Sequence, residues 1–600
     1  MREFSTPSTI EVPETGNLTD DIVVNAREAG DSVVFSRRSS QGGAPAWEDV
    51  TAAQFLAEVS AVAKGLIAAG IEVGDRVAVI SKTRYEWTLL DYAIWFAGAV
   101  TVPIYETSSA EQISWILADS GTRAVVAEGA EHLARIEEVR PGLDQLDHVW
   151  SLADGAVEDL SRRGADVADD ELEKRRTSAG PLDLATLIYT SGTTGLPKGC
   201  MLTHGNFMFE IGVAVTELPE LFEGDDASTL LFLPLAHVFA RIIQVGCVKM
   251  RTRLGHSADI KNLLVDLQEF QPTFVLAVPR VFEKVFNTAS QKATADGRGR
   301  IFDRAAETAI AYSRGLDKGR PSLVVRARHA VYSRLVYGKL VAALGGRCRY
   351  AVSGGAPLGD RLGHFYRGIG LTVLEGYGLT ETTAALTVNQ PDAIKVGTVG
   401  RPLPGTAVRV ADDGELLFRG GQVFAGYWHN EAATTEALEP EGWLHTGDVG
   451  EVDDEGFVRI TGRKKEILVT AGGKNVAPAV LEDRLRSHVL IDQCIVVGDG
   501  QPFIAALITI DRESLPAWAE ARGKSGSFAE LLGDPDLRAE IEAAVEDANK
   551  AVSKAESIRK FSILPDVWTE EGGQLTPSLK IRRNVVMREF KDDVAALYVS

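Results

Sequence analysis

The first third of the chain alternates short apolar runs with amphipathic stretches, and this alternation restricts the fold more than any other feature. Arg76–Ser81 (RVAVIS) is typical of a buried strand, and Glu86–Val100 carries its apolar residues at helical spacing. The same order of strand and helix continues over Thr101–Tyr105, Ala110–Asp119 and Arg123–Ala127. Strands that alternate with helices predict an α/β fold, in which helices cover both faces of a parallel sheet.

The rest of the chain divides into segments of different composition. Asp154–Gly180 is highly charged and has no strand pattern, so we expect an exposed connection there. Val396–Trp428 is rich in Gly, Pro and alternating β-forming residues, which predicts a small antiparallel β unit. The charged run RKKE after Gly462 precedes another α/β section. Because charge clusters often separate packed units, we expect a hinge at Lys464–Lys465 and a separate C-terminal domain over residues 466–600.

Charge, cysteine usage and hydropathy exclude several classes of function. The formal net charge of −21 disfavours binding to nucleic acid, so a nucleotide would need local backbone amides and a few placed cations. The cysteines lack metal-ligand spacing, which favours buried, unreactive thiols in a reducing cytosol over a zinc site: they are Cys200, Cys247, Cys348 and Cys494. The N-terminus lacks a signal-peptide pattern, and no apolar run approaches the ~18 residues of a membrane span. We expect a cytoplasmic protein, or one that is peripheral at the inner membrane face.

A glycine-rich loop, YTSGTTGLPKG over Tyr189–Gly199, follows the strand-like run Leu184–Tyr189. Glycine lets the backbone approach a phosphate closely, and the Ser and Thr residues add hydroxyl donors. Lys198 adds a point charge that suits a phosphate. A P-loop of the Walker type needs Gly-x-x-x-x-Gly-Lys-Ser/Thr, whereas here Gly199 follows the lysine. The loop therefore predicts a phosphate site of a different class.

This loop closely resembles the signature of the adenylate-forming (AMP-binding) superfamily, which includes acyl-CoA synthetases, luciferases and peptide-synthetase adenylation domains. Further motifs follow in the family's order from about residue 50 to the C-terminus. The resemblance implies a large N-terminal domain of stacked parallel sheets flanked by helices, with a small β unit, and a smaller mobile α+β C-terminal domain. It also implies that the loop binds the phosphates of ATP through Thr190, Ser191, Gly192, Thr193, Thr194, Gly195 and Lys198.

Three motifs resemble the segments that hold the acyl group and the adenine. In PLAH, the resemblance places His237 beside the substrate carboxylate. In SGGAP it makes Gly354, Gly355 and Ala356 the wall of the adenine pocket, because small residues let a flat ring lie against the backbone. In EGYGLTE it places Tyr377 against the adenine, where the phenol ring can stack.

Four more residues receive roles around the phosphates and the ribose. The resemblance assigns Thr380 to the α-phosphate and Glu381 to Mg²⁺, a hard cation that prefers oxygen ligands. In HTGD, Asp448 would accept both ribose hydroxyls, and in TGR the guanidinium fork of Arg463 would hold the ribose and phosphate edge.

The C-terminal motifs imply a lid that serves two reactions. The resemblance makes Lys580, in LTPSLKIRR, the lysine of adenylation and Lys465 the residue about which the lid rotates. It implies that Gly472, Gly473 and Lys474 line the coenzyme A tunnel after rotation. The implied domains are 1–464 for ATP and acyl binding, 465 as the hinge and 466–600 as the lid.

These motifs together predict an ATP-dependent ligase that joins a long-chain fatty acid to coenzyme A through an acyl-AMP. ATP and coenzyme A are co-substrates, Mg²⁺ is the cofactor, and Lys580, Glu381, Thr380 and His237 form the expected catalytic set. Three alternatives stay open: a coenzyme A ligase for another acid, an acyl-AMP ligase that loads a carrier protein, and a catalytically silent AMP-sensing relative.

The long-chain substrate is predicted from an insertion. VPRVFEKVF (Val278–Phe286) and the helical pattern that continues to about Leu344 resemble the long-chain synthetases. Within this stretch, Arg314–Arg349 carries nine Lys or Arg residues and one acid, Asp317. One interpretation is weak peripheral contact with an anionic membrane, or attraction of the coenzyme A phosphates. The other is a solvated helix face paired with acids elsewhere.

Overall fold

The computed structural model describes residues 2–39, 46–190, 196–259, 261–576 and 580–599. Its strands, in chain order, are β1 (Glu3–Ser5), β2 (Val33–Ser39), β3 (Ala46–Thr51), β4 (Arg76–Ile80), β5 (Val100–Ile104), β6 (Thr122–Ala127), β7 (His148–Ser151), β8 (Leu184–Thr190), β9 (Lys198–Thr203), β10 (Ser228–Leu231), β11 (Arg253–His256), β12 (Phe274–Ala277), β13 (Tyr350–Ser353), β14 (Thr372–Tyr377), β15 (Thr387–Val388), β16 (Arg401–Pro402), β17 (Ala407–Val410), β18 (Glu415–Arg419), β19 (Leu444–Val452), β20 (Val458–Arg463), β21 (Leu468–Val469), β22 (Asn475–Val476), β23 (Ile491–Val497), β24 (Ile504–Ile510) and β25 (Ile558–Ile563).

The helices, in the same order, are α1 (Asp20–Ala29), α2 (Ala52–Ala68), α3 (Tyr85–Phe96), α4 (Ala110–Ser120), α5 (Ala130–Val139), α6 (Ala156–Arg163), α7 (Asp169–Arg176), α8 (His204–Glu217), α9 (Pro219–Phe222), α10 (Val238–Met250), α11 (Leu263–Phe270), α12 (Pro279–Ala295), α13 (Gly299–Asp317), α14 (Leu323–Tyr332), α15 (Gly338–Ala343), α16 (Asp360–Ile369), α17 (Glu431–Ala437), α18 (Pro478–Arg486), α19 (Leu515–Ala521), α20 (Phe528–Leu532), α21 (Pro535–Asn549), α22 (Arg583–Glu589) and α23 (Lys591–Tyr598). A π-helical turn, Ser333–Tyr337, joins α14 to α15.

Two large sheets form the N-terminal part. The first has the order β7-β6-β4-β5-β8-β9 and is parallel except for the β8–β9 hairpin. The second has the order β16-β15-β14-β13-β12-β10-β11-β2-β3, with parallel strands from β14 to β2 and antiparallel edges. Continuous apolar strands such as RVAVI at Arg76–Ile80 suit sheets covered on both faces. The predicted α/β class is confirmed.

One hydrophobic core joins the two sheets. It contains Val77 of the first sheet, Leu230 of the second, and residues of α3 such as Trp87. Helix α3 is buried around almost its whole circumference, as expected for a helix inside a large core. Its Asp91 forms a fully buried ion pair with Arg241 of α10, so the two helices are tied together at the centre of the molecule.

The small β unit is antiparallel, but it draws on more of the chain than predicted. Its order is β1-β17-β18-β19-β20, so the N-terminal strand Glu3–Ser5 and the segments Leu444–Val452 and Val458–Arg463 belong to it. The last part of the predicted range lies elsewhere: Trp428 N donates to Gly199 O at 2.7 Å, alongside β9. The local pattern identified β-forming residues but not their partners.

The segment over residues 154–180 differs from the predicted exposed connection. It forms α6 and α7, which bury Leu160 and Leu172. Helix α6 approaches α2 so closely that a Cβ on Gly65 would lie 2.1 Å from the carbonyl oxygen of Leu160. Few apolar residues stand among many charges in this segment, so its periodicity was too weak to predict the packing.

Two other local predictions concern the end of α3 and the state of the cysteines. Helix α3 ends at Phe96 rather than continuing to Val100, which begins a strand, and Gly98 makes the turn at φ +76°. All four cysteines are buried and free, as predicted.

The C-terminal part has its own cores on the two sides of a three-stranded sheet. The order is β23-β24-β25, with β24 and β25 parallel. Helices α18 and α21 pack on one face around Leu481 and Ile541, and the segment with Leu575 and Val586 packs on the other. Helix α18 begins with Pro478 in its first turn, as predicted.

Candidate active site

The predicted phosphate loop connects two strands that pair as a hairpin. Strands β8 and β9 are antiparallel, and Thr190 lies opposite Lys198 at the end of the ladder next to the loop. The predicted ligands between them, Ser191, Gly192, Thr193, Thr194 and Gly195, lie outside the described residues. The ammonium of Lys198 lies 4.8 Å from the centre of the Tyr427 ring, a favourable position for a cation.

Two hydrogen bonds attach this hairpin to helix α4, and a third attaches Trp428, which lies alongside β9. The indole of Trp115 donates to Pro197 O at 2.8 Å, and Tyr189 Oη donates to Asp119 Oδ2 at 2.6 Å. The indole of Trp428 donates to Asp119 O at 3.0 Å. Both ends of the loop are therefore fixed to a rigid helix. Sequence reasoning missed these contacts, because the partners lie far apart in the chain.

The SGGAP segment leaves strand β13 beside helix α10. A Cβ on Gly354 would come within 3.2 Å of the Phe239 ring, and Gly355 has φ +83°, so both positions favour glycine. Gly355 and Ala356 are exposed, whereas the preceding residues of β13 are buried. The segment thus forms an open backbone surface at the end of a strand, as a flat ring requires.

Tyr377, Asp448 and Arg463 meet in one network. Tyr377 Oη donates to Asp448 Oδ2 at 2.6 Å, and Arg463 Nε lies 3.1 Å from Asp448 Oδ1. Asp448 is 3% exposed, and Arg463 lies opposite it in the β19–β20 ladder. Burial, followed by the neighbouring Asp448 carboxylate, raises the pKa of Tyr377 well above its usual value, so the phenol stays protonated as a donor.

Glu381 lies next to Thr380 in a short 3₁₀ turn over Thr380–Thr382. Its Oε1 accepts a 2.7 Å hydrogen bond from Tyr427 Oη. Oε2 makes no hydrogen bond or ion pair within the described ranges. One free carboxylate oxygen beside a phosphate site suits Mg²⁺, which is commonly held by one or two carboxylates together with substrate phosphates. The sequence analysis did not predict a role for Tyr427. The only local signal was its position directly after Gly426 in GYW.

Lys580 reaches this group of residues from the C-terminal part of the chain. Its backbone N donates to Thr576 Oγ1 at 3.0 Å, and its carbonyl oxygen accepts from Thr576 N at 2.8 Å. The side chain keeps a solvent-exposed surface, yet surrounding protein lowers the pKa of its ammonium. The nearby Arg463 charge lowers this pKa further, whereas Asp448 and Glu381 raise it. Lys580 is therefore within electrostatic reach of all three.

His237 begins helix α10, and its Nδ1 accepts a hydrogen bond from Phe239 N at 3.2 Å. Burial, followed by the charge of Lys580, lowers the pKa of His237 to about 3. The imidazole is therefore neutral at physiological pH. The charge of Lys580 thus adds to the effect of burial in keeping His237 neutral.

The remaining predicted residues lie in two other turns. Lys465 is in the 3₁₀ turn Lys464–Glu466, next to Lys464, whose ammonium pairs with Asp413 and Glu415. The turn with Gly472, Gly473 and Lys474 packs within the C-terminal part, where Ala471 N donates to Gln501 O at 2.9 Å and Lys474 pairs with Glu556 at 3.4 Å. Among the described residues, the contacts of this turn do not include the Tyr377–Asp448 network.

The assembled cleft contains three cations and two carboxylates: Lys198, Arg463, Lys580, Glu381 and Asp448. Such a site can bind a nucleotide triphosphate at its ribose and phosphates and can lower the repulsion between two reacting anions.

Within the described ranges, no helix combines the length and apolar character needed to cross a bilayer.

Comparison with known proteins agrees with this chemistry. A family model described as AMP-binding enzyme matches residues 24–428, and one described as AMP-binding enzyme C-terminal domain matches residues 465–600. The chain is 53% identical to the long-chain-fatty-acid–CoA ligase FadD15 of Mycobacterium bovis, with 100% of both chains covered. It is 30% identical to the long-chain-fatty-acid–CoA ligase ACSBG2 of Xenopus laevis, with 98% of this chain and 82% of that protein covered.

Solved structures share the fold at low identity. The anthranilate CoA ligase AuaEII in complex with anthranoyl-AMP superposes with a TM-score of 0.74 at 20% identity, covering 97% of this chain and 99% of that one. The o-succinylbenzoate CoA synthetase MenE of Bacillus subtilis, in complex with ATP and magnesium, gives 0.67 at 20% identity, covering 95% and 99%. The resemblance drawn from the motifs is confirmed: the chain belongs to the AMP-binding enzyme family.

Proposed function

We propose that this chain joins a long-chain fatty acid to coenzyme A at the expense of ATP, through an acyl-AMP intermediate. The observation that carries the proposal is the network in which Tyr377 Oη donates to Asp448 Oδ2 at 2.6 Å while Arg463 Nε lies 3.1 Å from Asp448 Oδ1. The charges of Arg463, Asp448 and Glu381 also act on the pKa of Lys580, which supports a role for this lysine of the C-terminal part at the same site.

In the first half-reaction, a carboxylate oxygen attacks the α-phosphorus of ATP, and pyrophosphate leaves. Both reactants are anions, so positive charge and fixed orientation lower the barrier. Lys580 stabilises the charge at the α-phosphate, with Thr380 as a hydroxyl donor. Lys198, Thr190 and the loop between them bind the departing pyrophosphate. Neutral His237 orients the acid.

Nucleotide binding is assigned to the surrounding surface. Asp448 accepts the ribose hydroxyls, Arg463 holds the ribose–phosphate edge, and Tyr377 stacks on the adenine that rests on Gly354–Ala356. Glu381 holds Mg²⁺ through its free oxygen, and the ion supplies charge neutralisation at the phosphates when bound.

In the second half-reaction, the coenzyme A thiol attacks the acyl carbon and AMP leaves. Lys580 would then occupy the path of the thiol. We therefore divide the chain into an N-terminal domain, 1–464, a hinge at Lys465, and a lid, 466–600, that rotates between the two steps. The separate cores of the lid support its movement as one unit. After rotation, Gly472, Gly473 and Lys474 would line the thiol's path.

A product assay tests the substrate class. The enzyme is given ATP, Mg²⁺, coenzyme A and an equimolar mixture of straight-chain acids from about C2 to C24, with aryl acids in a parallel reaction, and thioesters are identified by mass. We expect long-chain acyl-CoA products, in line with the two relatives described above. Thioesters formed only from short or aryl acids would show that the substrate is not a long-chain fatty acid. Accumulation of acyl-AMP without a thioester would favour a ligase that loads a carrier protein. The absence of both turnover and pyrophosphate exchange would favour a silent AMP sensor.

We also propose that the surface around α14, defined here as Leu323–Leu335, makes weak peripheral contact with an anionic membrane. Helix α14 has no buried residue. Four aliphatic side chains on this surface are strongly exposed: Leu323, 77%, Val324, 61%, Val331, 56%, and Leu335, 58%. Arg326, Arg328 and Arg334 are exposed among them. Exposed apolar side chains mixed with arginines suit an interface that buries aliphatic groups and attracts anionic lipid.

Sedimentation with lipid vesicles tests this contact. Replacing Arg326, Arg328 and Arg334 by Gln should lower binding to phosphatidylglycerol vesicles and leave the weak binding to phosphatidylcholine vesicles unchanged. Replacing Arg2, Arg162 and Arg163 by Gln removes the same charge from exposed positions outside this surface and serves as the matched control. Equal binding by both triple variants would contradict the proposed contact.

A further inference from the structure

Helix α12 is firmly attached to the N-terminal domain on one face. Phe282 and Phe286 are buried, and their rings pack against Tyr366 and Phe365 of α16 at centroid distances of 5.2 and 4.7 Å. Tyr366 Oη also donates to Phe282 O at 2.6 Å. This face fixes the position of the helix, and hence the direction of the side chains on its opposite face.

The opposite face carries Arg280, Lys284 and Gln291, which share one side of the helix because they are spaced i, i+4 and i+11. All three contact the C-terminal part of the chain. Lys284 Nζ lies 3.1 Å from Glu513 Oε2, and Gln291 Nε2 donates to Ser514 Oγ at 2.6 Å. A row of side chains on α12 therefore spans the boundary between the two proposed domains.

Arg280 is the central member of this row. Its Nη2 donates to Asp492 at the start of β23 and lies 3.7 Å from Asp511, which follows β24. Its Nη1 lies 3.5 Å from Glu283 on its own helix. The side chain of Arg280 is 30% exposed, and those of Asp492 and Asp511 are 18% and 22% exposed. The Lys284–Glu513 pair is far more open, at 66% and 75%.

Arg280 lies among three carboxylates, Glu283, Asp492 and Asp511. Burial raises the pKa of Glu283 and of Asp492, and the Arg280 charge opposes this rise. The charge of Arg486, on the C-terminal side, also acts on Glu283. Without the Arg280 guanidinium, Asp492 and Asp511 would lose their ion pair with α12 and would face Glu283 across the boundary. Like charges in a partly buried interface repel, so the attraction across the boundary would weaken.

We propose that Arg280 is a positioning residue for the adenylation half-reaction, because its contacts with Asp492 and Asp511 hold the C-terminal domain in the pose that brings Lys580 to the nucleotide cleft. The inference rests on the proposed two-step function. It adds that α12, within the stretch that resembles long-chain synthetases, selects this pose. The C-terminal domain must also leave this pose before the thiol step. A partly exposed cluster of ion pairs suits this requirement, because it can be broken and re-formed more readily than an apolar interface.

The two half-reactions give the first test, with Arg280→Gln as the variant and Lys284→Gln as the matched control. Fatty-acid-dependent pyrophosphate exchange should fall about fivefold or more in Arg280→Gln. Thioester formation from supplied acyl-AMP and coenzyme A should not fall. Lys284→Gln removes one exposed cation of the same helix face, so we expect exchange within about twofold of the wild type. Equal loss of both half-reactions in Arg280→Gln, or equal effects of the two variants, would overturn the proposal.

A distance measurement gives a second test that does not depend on activity. Because all four native cysteines are buried, spin labels can be attached to cysteines introduced at the exposed positions Thr435 and Glu546, one on each side of the boundary. Arg280→Gln should broaden the interlabel distance distribution, whereas Lys284→Gln should leave it narrow. The reversed pair Arg280→Glu with Asp492→Arg should narrow it again. An unchanged interlabel distance distribution in Arg280→Gln would overturn the proposed role of Arg280. The absence of pyrophosphate exchange in the wild type would instead refute only the proposed function.

Discussion

The phenol of Tyr377 donates a 2.6 Å hydrogen bond to Asp448 Oδ2, while Arg463 Nε lies 3.1 Å from the other oxygen of the same carboxylate. One oxygen of Asp448 is thus fixed by a neutral donor and the other by a cation. This contact joins the end of β14 in the large second sheet to β19 in the small β unit. The proposed nucleotide cleft therefore lies where two sheets of different architecture meet.

The first prediction concerns Asp448. Asp448→Asn should raise the KM for ATP by about tenfold or more in pyrophosphate exchange, because a hydrogen bond to a charged acceptor contributes more than one to a neutral acceptor. Tyr377→Phe removes the phenol but keeps the ring that is proposed to stack on adenine, so its effect should be smaller. A KM for ATP that is the same in Asp448→Asn and the wild type would remove Asp448 from the ribose site.

The second prediction concerns Lys580. Lys580→Ala should reduce pyrophosphate exchange by about 100-fold or more, because a preorganised charge at the developing anion is lost. It should retain thioester formation from supplied acyl-AMP, in which the lysine has no proposed part. Lys591→Ala removes an exposed lysine of the same domain and is the control. Loss of both half-reactions would show that Lys580 has another role.

The third prediction concerns Glu381 and magnesium. Glu381→Gln should increase the Mg²⁺ concentration required for half-maximal exchange by about tenfold or more, because one charged oxygen ligand is lost. Tyr427→Phe removes the 2.7 Å hydrogen bond to Oε1 but keeps the carboxylate, so its Mg²⁺ requirement should rise less. A titration of exchange activity with Mg²⁺ measures both. Identical titration curves for Glu381→Gln and the wild type would contradict the assignment.

The fourth prediction concerns the buried Glu375, beside the SGGAP segment. Burial raises the pKa of Glu375 to about 7, and Leu358 N donates to its Oε1 at 3.0 Å. The folded state therefore binds the proton more tightly than the unfolded state. The associated stabilisation is complete below the unfolded pKa and is lost as the pH rises through about 7.

Glu375→Gln keeps an acceptor for Leu358 N and cannot ionise, so its thermal stability should lack this pH dependence. Relative to the wild type, the variant should gain more in Tm at a pH of about 8 than at about 5. Calorimetry at both pH values measures the difference. Glu48→Gln, a change at a more exposed carboxyl group, should show no such gain. A Tm difference that is the same at both pH values would mean that Glu375 does not titrate in this range.

The sequence alone determined the local structure and the residue types of the site. Apolar runs predicted β4, β5, β6 and β8, because a strand buried on both faces needs a continuous run and a turn at its end. The glycine-rich loop, Tyr377, Asp448, Arg463 and Lys580 were all recognised because they lie in short motifs that resemble those of the adenylate-forming superfamily. Local periodicity failed at α6 and α7, where few apolar residues stand among charges.

Only the tertiary structure decided which distant residues meet. It joined Tyr377 to Asp448, gave Glu381 its partner Tyr427, and set Arg280 against Asp492 and Asp511. The periodicity of the sequence could not predict these pairs, because each pair depends on how the sheets stack and on where the C-terminal part packs. The order of strands follows from burial of their faces against common helices. The sequence thus supplied the chemical groups, and packing between distant segments assembled them into one site.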